Sequence, residues 1–194
     1  MFDYDEQTAL VVVDVQNDFA DRDGSLFVKG GDQVVAKVND EIRDAVTAGA
    51  MVVYTQDWHP ESTPHFEKDG GVWPVHCVKE SWGAEFHPDL DVRGPVVRKG
   101  SNGEDGYSGF TMRDPESGEE IATPLRGMLR EHGIERVVVV GLALDVCVKA
   151  TALDAADTFD TSVIVGATAP VELQPGDSAR AIDELEANRV GVIG

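Results

Sequence analysis

Cysteine is nearly absent, with two residues, Cys77 and Cys147, in a chain of 194. Two thiols make no disulfide framework in a chain of this size, so crosslinks do not hold the fold. Long hydrophobic runs are missing as well, and no apolar stretch approaches the ~20 residues that cross a bilayer. The N-terminus, MFDYDEQ, is acidic and has neither the basic start nor the apolar core of a secretory signal. Positive charge is the third scarcity. Lys and Arg number 16 against 36 Asp and Glu, for a formal net charge of −20. The acids are spread along the chain rather than gathered into a tail. Such a surface repels nucleic acid and anionic membranes, which argues against both as partners. Its self-repulsion weakens the fold at low salt and is screened when the Debye length is short. These scarcities predict a soluble, cytoplasmic protein of a salt-rich interior, as in a halophile. A homo-oligomer is left open, since charge opposes association only at low salt.

Apolar residues, at 42% of the chain, are enough for one domain over residues 1–194 with a sizeable core. Continuous apolar runs predict buried strands at Thr8–Val13, Met51–Thr55, Pro95–Arg98, Arg136–Val140, Ser162–Val165 and Val190–Ile193. Helical spacing of apolar residues marks Gly31–Ala48, Thr123–Glu131, Asp145–Thr158 and Asp177–Asn188. Between them lie an irregular, aromatic-rich segment, Gln56–Gly94, and a polar, Gly-rich loop, Gly100–Glu120. Strand alternating with helix implies a mostly parallel sheet covered by helices on both faces, a three-layer α/β/α fold. Sites in such folds lie at the carboxyl ends of the strands. Asp14, Asp57, Lys99 and the segment around Cys147 each follow a predicted strand, so one rim brings them together.

Each residue alone is weak. Asp14 after a strand is more often a cap or a loop anchor than a catalytic group. Lys99 is by type a surface residue. Cys147, in the first turn of a predicted helix, is either a small core residue or a thiol whose pKa the helix N-terminus lowers. Together they offer a nucleophile, a base and a cation. A second cluster, QDWHPESTPHF followed by WPVHC, offers the Asp57 carboxylate and the imidazoles of His59, His65 and His76. That mixed set suits one divalent ion, Zn, Mn or Fe. The bland alternative is loop histidines stacked on tryptophans.

The motifs VVVDVQNDF, DWHP, WPVHC, RKG…YSGF and VVGLALDVCVKATALDA, in this order and nearly end to end, resemble the nicotinamidase/pyrazinamidase family within the isochorismatase-like cysteine hydrolases. DVQNDF is shared widely there, whereas DWHP with WPVHC is far more specific. The resemblance implies deamidation of nicotinamide to nicotinate and ammonia through a thioester, with pyrazinamide as an analogue substrate. It implies Cys147 as nucleophile, Asp14 as base and then acid, and Lys99 as support for the thiolate. It implies Asp57, His59 and His76 as metal ligands, with His65 as a less securely aligned fourth, and zinc ahead of Mn or Fe. The metal holds the pyridine nitrogen in that family, and Phe19, Trp73 and Tyr107 match the aromatic positions around the ring. It also implies a cis peptide at Leu142–Ala143, with the Ala143 and Cys147 N–H groups as an oxyanion hole. Leu144 and Val146 depart from the family pattern, which carries a hydroxyl and an aromatic or His there. The rival readings are a related hydrolase of another small amide and a non-catalytic thiol or metal-binding protein.

Overall fold

The apolar runs become strands buried on both faces. The computed structural model describes residues 2–194. In chain order the elements are β1 (Thr8–Val13), α1 (Asn17–Ala20), α2 (Gly31–Thr47), β2 (Met51–Asp57), β3 (Val96–Lys99), β4 (Thr111–Arg113), β5 (Glu120–Ala122), α3 (Leu125–Glu131), β6 (Arg136–Leu142), α4 (Lys149–Ala156), β7 (Asp160–Ala169), α5 (Asp177–Ala187) and β8 (Gly191–Ile193). Six strands form one sheet in the order β3-β2-β1-β6-β7-β8, and every neighbouring pair is parallel.

Continuous rather than alternating hydrophobicity follows from two cores. Along β1, Leu10 and Val12 enter the core under α2 with Val34, Val38 and Ile42. Ala9, Val11 and Val13 enter the opposite core with Leu125 and Leu129 of α3, Ala152 and Ala155 of α4, and Leu185 of α5. The layers are therefore helix, sheet, helix, as the strand–helix alternation predicts. No helix among the described residues is long and apolar enough to cross a membrane.

The strand order places the reversal of winding between β1 and β6, where a crevice opens outside the carboxyl ends of an open parallel sheet. Gly141, near the end of β6, has φ 108°, and a Cβ there would strike the Val13 backbone, so only glycine lets the two strand ends close up. In register, Val13 lies opposite Gly141 and Thr55, and Asp57 lies opposite Lys99. The residues that follow these strands share one rim.

Several elements differ from the sequence expectation, among them the short α1 and the longer β7 (Asp160–Ala169 against Ser162–Val165). β2 runs on to Asp57, so the first residue of DWHP is still strand. The polar stretch read as loop carries the antiparallel pair β4–β5, too short and too polar to show an apolar period. The helix expected from Asp145 to Thr158 is broken in two: Leu144–Val148 is a π-helical turn and α4 follows it. The Val148 N–H donates to Ala143 O at 3.0 Å, five residues back. Such turns recur at functional sites because they displace one side chain from regular helical phase; here the displaced stretch contains Cys147.

Candidate active site

Asp14, Asp57, Lys99 and Cys147 converge at the rim. Lys99, 1% exposed, donates from Nζ to Asp14 Oδ2 at 2.8 Å and to the Tyr107 carbonyl at 3.1 Å. The same Nζ lies 2.8 Å from Asp57 Oδ1 and 3.7 Å from Cys147 Sγ. Thr55 Oγ1 donates to the other Asp14 oxygen at 2.7 Å. Asp14, Asp57 and Cys147 each place one oxygen or sulfur within 4.8 Å of the others. One buried ammonium thus serves two buried carboxylates and a thiol.

The electrostatics separate the two acids. Burial raises the Asp14 pKa above the ordinary carboxylate range; Lys99 opposes this, and the charge on Asp57 adds to it. Burial also works to raise Asp57, but the Lys99 ammonium and the neighbouring imidazoles hold it well below the ordinary value. Lys99 itself is pushed well above its ordinary pKa: burial opposes the charge, and the two carboxylates outweigh it. The acid with the raised pKa is the better proton carrier, and the other stays a fixed anion.

Cys147 corrects a sequence expectation. A helix N-terminus predicts a lowered thiol pKa, yet burial pushes it well above the ordinary value, and Asp14 and Asp57 push the same way against Lys99. Burial is the largest of these effects, and a helix-end argument leaves it out. At rest the group is a thiol beside a carboxylate, an arrangement in which the carboxylate can take the proton as sulfur attacks.

The three histidines of the irregular segment come together too. One nitrogen from each of His59, His65 and His76 lies within 4.8 Å of the others. Asp57 Oδ2 stands 3.7 Å from His59 Nε2 and 4.0 Å from His76 Nε2. His59 is 1% exposed, and neither of its ring nitrogens has a hydrogen-bond partner among the described residues. An orphaned buried imidazole is costly and calls for an explanation. Burial pushes His76 down to about 4, so it is neutral near pH 7, the form that binds metal. His76 Nδ1 faces the Pro74 carbonyl at 2.7 Å, which leaves Nε2 free. Three clustered imidazoles, with the Asp57 carboxylate beside two of them, fit a divalent cation. His65, the least secure of the four from sequence, belongs to the cluster by geometry.

A pocket of about 380 Å³, its mouth included, links the two groups. Phe19, Trp73 and Tyr107 line it as expected, together with Asp57, His65, His76, Ala143 and Cys147. Trp73 Nε1 donates to the Tyr107 hydroxyl at 3.0 Å, which ties the histidine segment to the loop after β3. The Leu142–Ala143 peptide is cis. Asp14 and Lys99 stand behind Cys147, away from solvent, so a ligand in the pocket meets the sulfur first.

Several supporting residues escape sequence reading. The Gln16 side chain brackets the Asp57 peptide: its amide donates to Asp57 O at 2.8 Å and its oxygen accepts from Asp57 N at 2.8 Å. Asp145 accepts from Val171 N and Glu172 N, both at 2.8 Å, and fixes Val171 in the pocket wall beside the π turn. Gln16 lies inside DVQNDF, where its motif is a signal. Asp145 and Val171 are 26 residues apart, and nothing local in the sequence joins them.

A parallel α/β sheet with a thiol, a carboxylate and a lysine at its switch point, beside a metal-suited histidine cluster, defines a thiol-dependent α/β hydrolase. The chain belongs to the isochorismatase family, whose domain matches residues 8–194. It is 38% identical over 198 residues to the nicotinamidase of Escherichia coli (strain K12), covering 92% of this chain and 91% of that one. The structure resembles the pyrazinamidase of Pyrococcus horikoshii in complex with zinc, with TM-score 0.85, 38% identity, and 96% and 98% of the two chains covered. It also resembles PnC1 from L. infantum in complex with nicotinate, with TM-score 0.87, 34% identity, and 99% and 95% covered.

Proposed function

We propose that this chain, acting as one domain, is a metal-dependent amidohydrolase that converts nicotinamide to nicotinate and ammonia and takes pyrazinamide as an analogue. The contact of Lys99 with Asp14, Asp57 and Cys147 at the floor of an aromatic pocket carries the reading. Asp57, His59, His65 and His76 would hold the ion, zinc by preference of the imidazole-rich set. When bound, it supplies a Lewis-acid anchor for the pyridine nitrogen.

The protein's own groups carry the rest. Phe19, Trp73 and Tyr107 hold the ring, with the carboxamide toward Cys147. Asp14 takes the thiol proton as Sγ bonds to the amide carbon. The oxyanion is met by the backbone N–H groups of Ala143 and Cys147, donors of a kind worth ~10²–10³ in rate when removed singly. Asp14 then returns the proton to the amide nitrogen, the C–N bond breaks, and ammonia leaves a thioester. Asp14 next takes a proton from water, whose oxygen attacks the thioester carbon. The C–S bond breaks, nicotinate departs, and the proton passes from Asp14 to the sulfur. Lys99 keeps a positive charge beside Asp14 throughout.

Ammonia release from nicotinamide in high salt tests this. Full-length protein is expected to release it, a chelator to abolish release, and added zinc to restore it. Folded, zinc-loaded protein that releases none from nicotinamide or pyrazinamide would overturn the reading.

The net charge of −20 supports a salt-rich cytoplasm as the working environment. Screening that relieves about 2 kcal/mol of self-repulsion corresponds to a rise of roughly 4–8 °C in Tm for a chain of this size. Melting curves are expected to show a rise of that order between 0.2 M and 2 M KCl, flattening above it; an unchanged Tm would make the acidity incidental.

A further inference from the structure

The three imidazoles of the cluster are not held alike. His76 is fixed through Nδ1 by a backbone carbonyl, and His59 has no partner at either nitrogen. His65 Nδ1 instead meets a carboxylate: Asp105 Oδ1 at 2.6 Å, the shortest contact made by any of the three rings. Asp105 comes from the loop after β3, 40 residues away, and belongs to none of the motifs above. That loop is itself braced. The Asp105 backbone bridges antiparallel to Arg113 of β4, and its Oδ1 also accepts the Gly106 N–H at 2.9 Å. A carboxylate has only acceptors to offer, so in the neutral imidazole the proton sits on His65 Nδ1 and Nε2 carries the lone pair.

We propose that Asp105 is a positioning residue for the metal site: it fixes the tautomer and ring orientation of His65 so that Nε2 faces the point shared with His59, His76 and Asp57. This rests on the reading of those four residues as ligands. A carboxylate behind a ligating histidine raises its basicity and sets its direction, and removing such a partner costs ~10–100-fold in metal affinity. The hairpin β4–β5 acquires a role in this way. It carries no residue of the pocket's apolar wall, but it holds the strand edge from which Asp105 reaches His65.

Zinc affinity of the metal-stripped full-length chain, read by competition with a chromophoric chelator, tests the proposal without reference to turnover. Asp105→Ala is expected to weaken zinc binding ~10–100-fold. Asp105→Asn keeps an acceptor but drops the charge, and should recover part of the loss. In a His65→Ala background, Asp105→Ala should change nothing further. Tyr107→Phe cuts a different hydrogen bond between the same two segments, that from Trp73 Nε1, and it should leave zinc affinity unchanged if the carboxylate rather than general tethering matters. The proposal is overturned if Asp105→Ala binds zinc like wild type, if its effect persists undiminished without His65, or if Tyr107→Phe reproduces it. Wild-type protein that takes up no zinc would overturn the ligand reading itself, an outcome distinct from the other three.

Discussion

Cys147→Ala is expected to fold normally and to lose at least ~10⁴-fold in kcat toward nicotinamide, in line with removal of a nucleophile from a group of residues that acts as a unit. The fold should survive because the change deletes one sulfur at the pocket floor, where the side chain is 8% exposed and borders open space rather than the centre of a core. It also leaves the Lys99 pairs with Asp14 and Asp57 in place. Cys77 supplies the control. It is fully buried, its thiol is pushed up chiefly by burial, and its sulfur faces the Gly83 carbonyl at 3.8 Å, away from the pocket. Cys77→Ala should therefore cost stability of order ~1 kcal/mol through a small cavity and leave kcat within a few-fold. Circular dichroism and a melting curve establish folding for both variants, and ammonia release separates them. Appreciable turnover by Cys147→Ala would remove the thioester from the reaction and transfer attack to water.

The rim was readable from sequence because an open parallel sheet has few ways to end its strands. Asp14, Asp57, Lys99 and Cys147 each follow an apolar run, and parallel pairing alone brings the ends of such runs to one side. The histidine cluster was readable in its members, since three of a rare residue type fall between positions 59 and 76, but not in its shape. What stayed hidden depends on contacts made across the chain. The direction of the Cys147 pKa is set first by burial of the thiol, to which two carboxylates add, and a helix-end rule contains neither. The π turn replaces a helix start because Ala143 O accepts from Val148, five residues on, and from Val146, rather than from Cys147, four residues on. Asp105 sits in a polar loop with no period of its own, and it gains meaning only when β4 and the histidine segment are folded on either side of it.

Lys99→Met should be the most destabilising single change at the site. The methionine fills similar space, so the loss is electrostatic: Asp14 and Asp57, both at least 96% removed from solvent, lose the cation they share. Breaking a buried pair by removing one partner typically costs ~3–5 kcal/mol. The pH dependence should change as well, relative to the parent. In the parent chain Asp57 has a lowered folded pKa, so its stabilisation is present above the unfolded value of ~3.9 and is lost as pH falls through the folded value. Lys99 has a raised folded pKa, so its stabilisation is complete below ~10.4 and is lost only as pH climbs through the folded value. In Lys99→Met only the Thr55 hydrogen bond to Asp14 and the imidazoles beside Asp57 still oppose burial, so both carboxyl pKa values rise, and the folded state binds protons that the unfolded chain has released. Relative to the parent, stability of the variant should then increase as pH drops from 8 to 5; His76, whose burial lowers its pKa to about 4, disfavours both folded proteins alike below the unfolded value of ~6.5 and cancels in the comparison. Urea unfolding of both proteins at these pH values reads the difference. Chelator-treated samples are needed, because a divalent ion beside Asp57 would substitute for part of the missing charge. A cost below ~1 kcal/mol, with the parent's pH slope retained, would mean that the two acids are screened by water and that the lysine organises nothing.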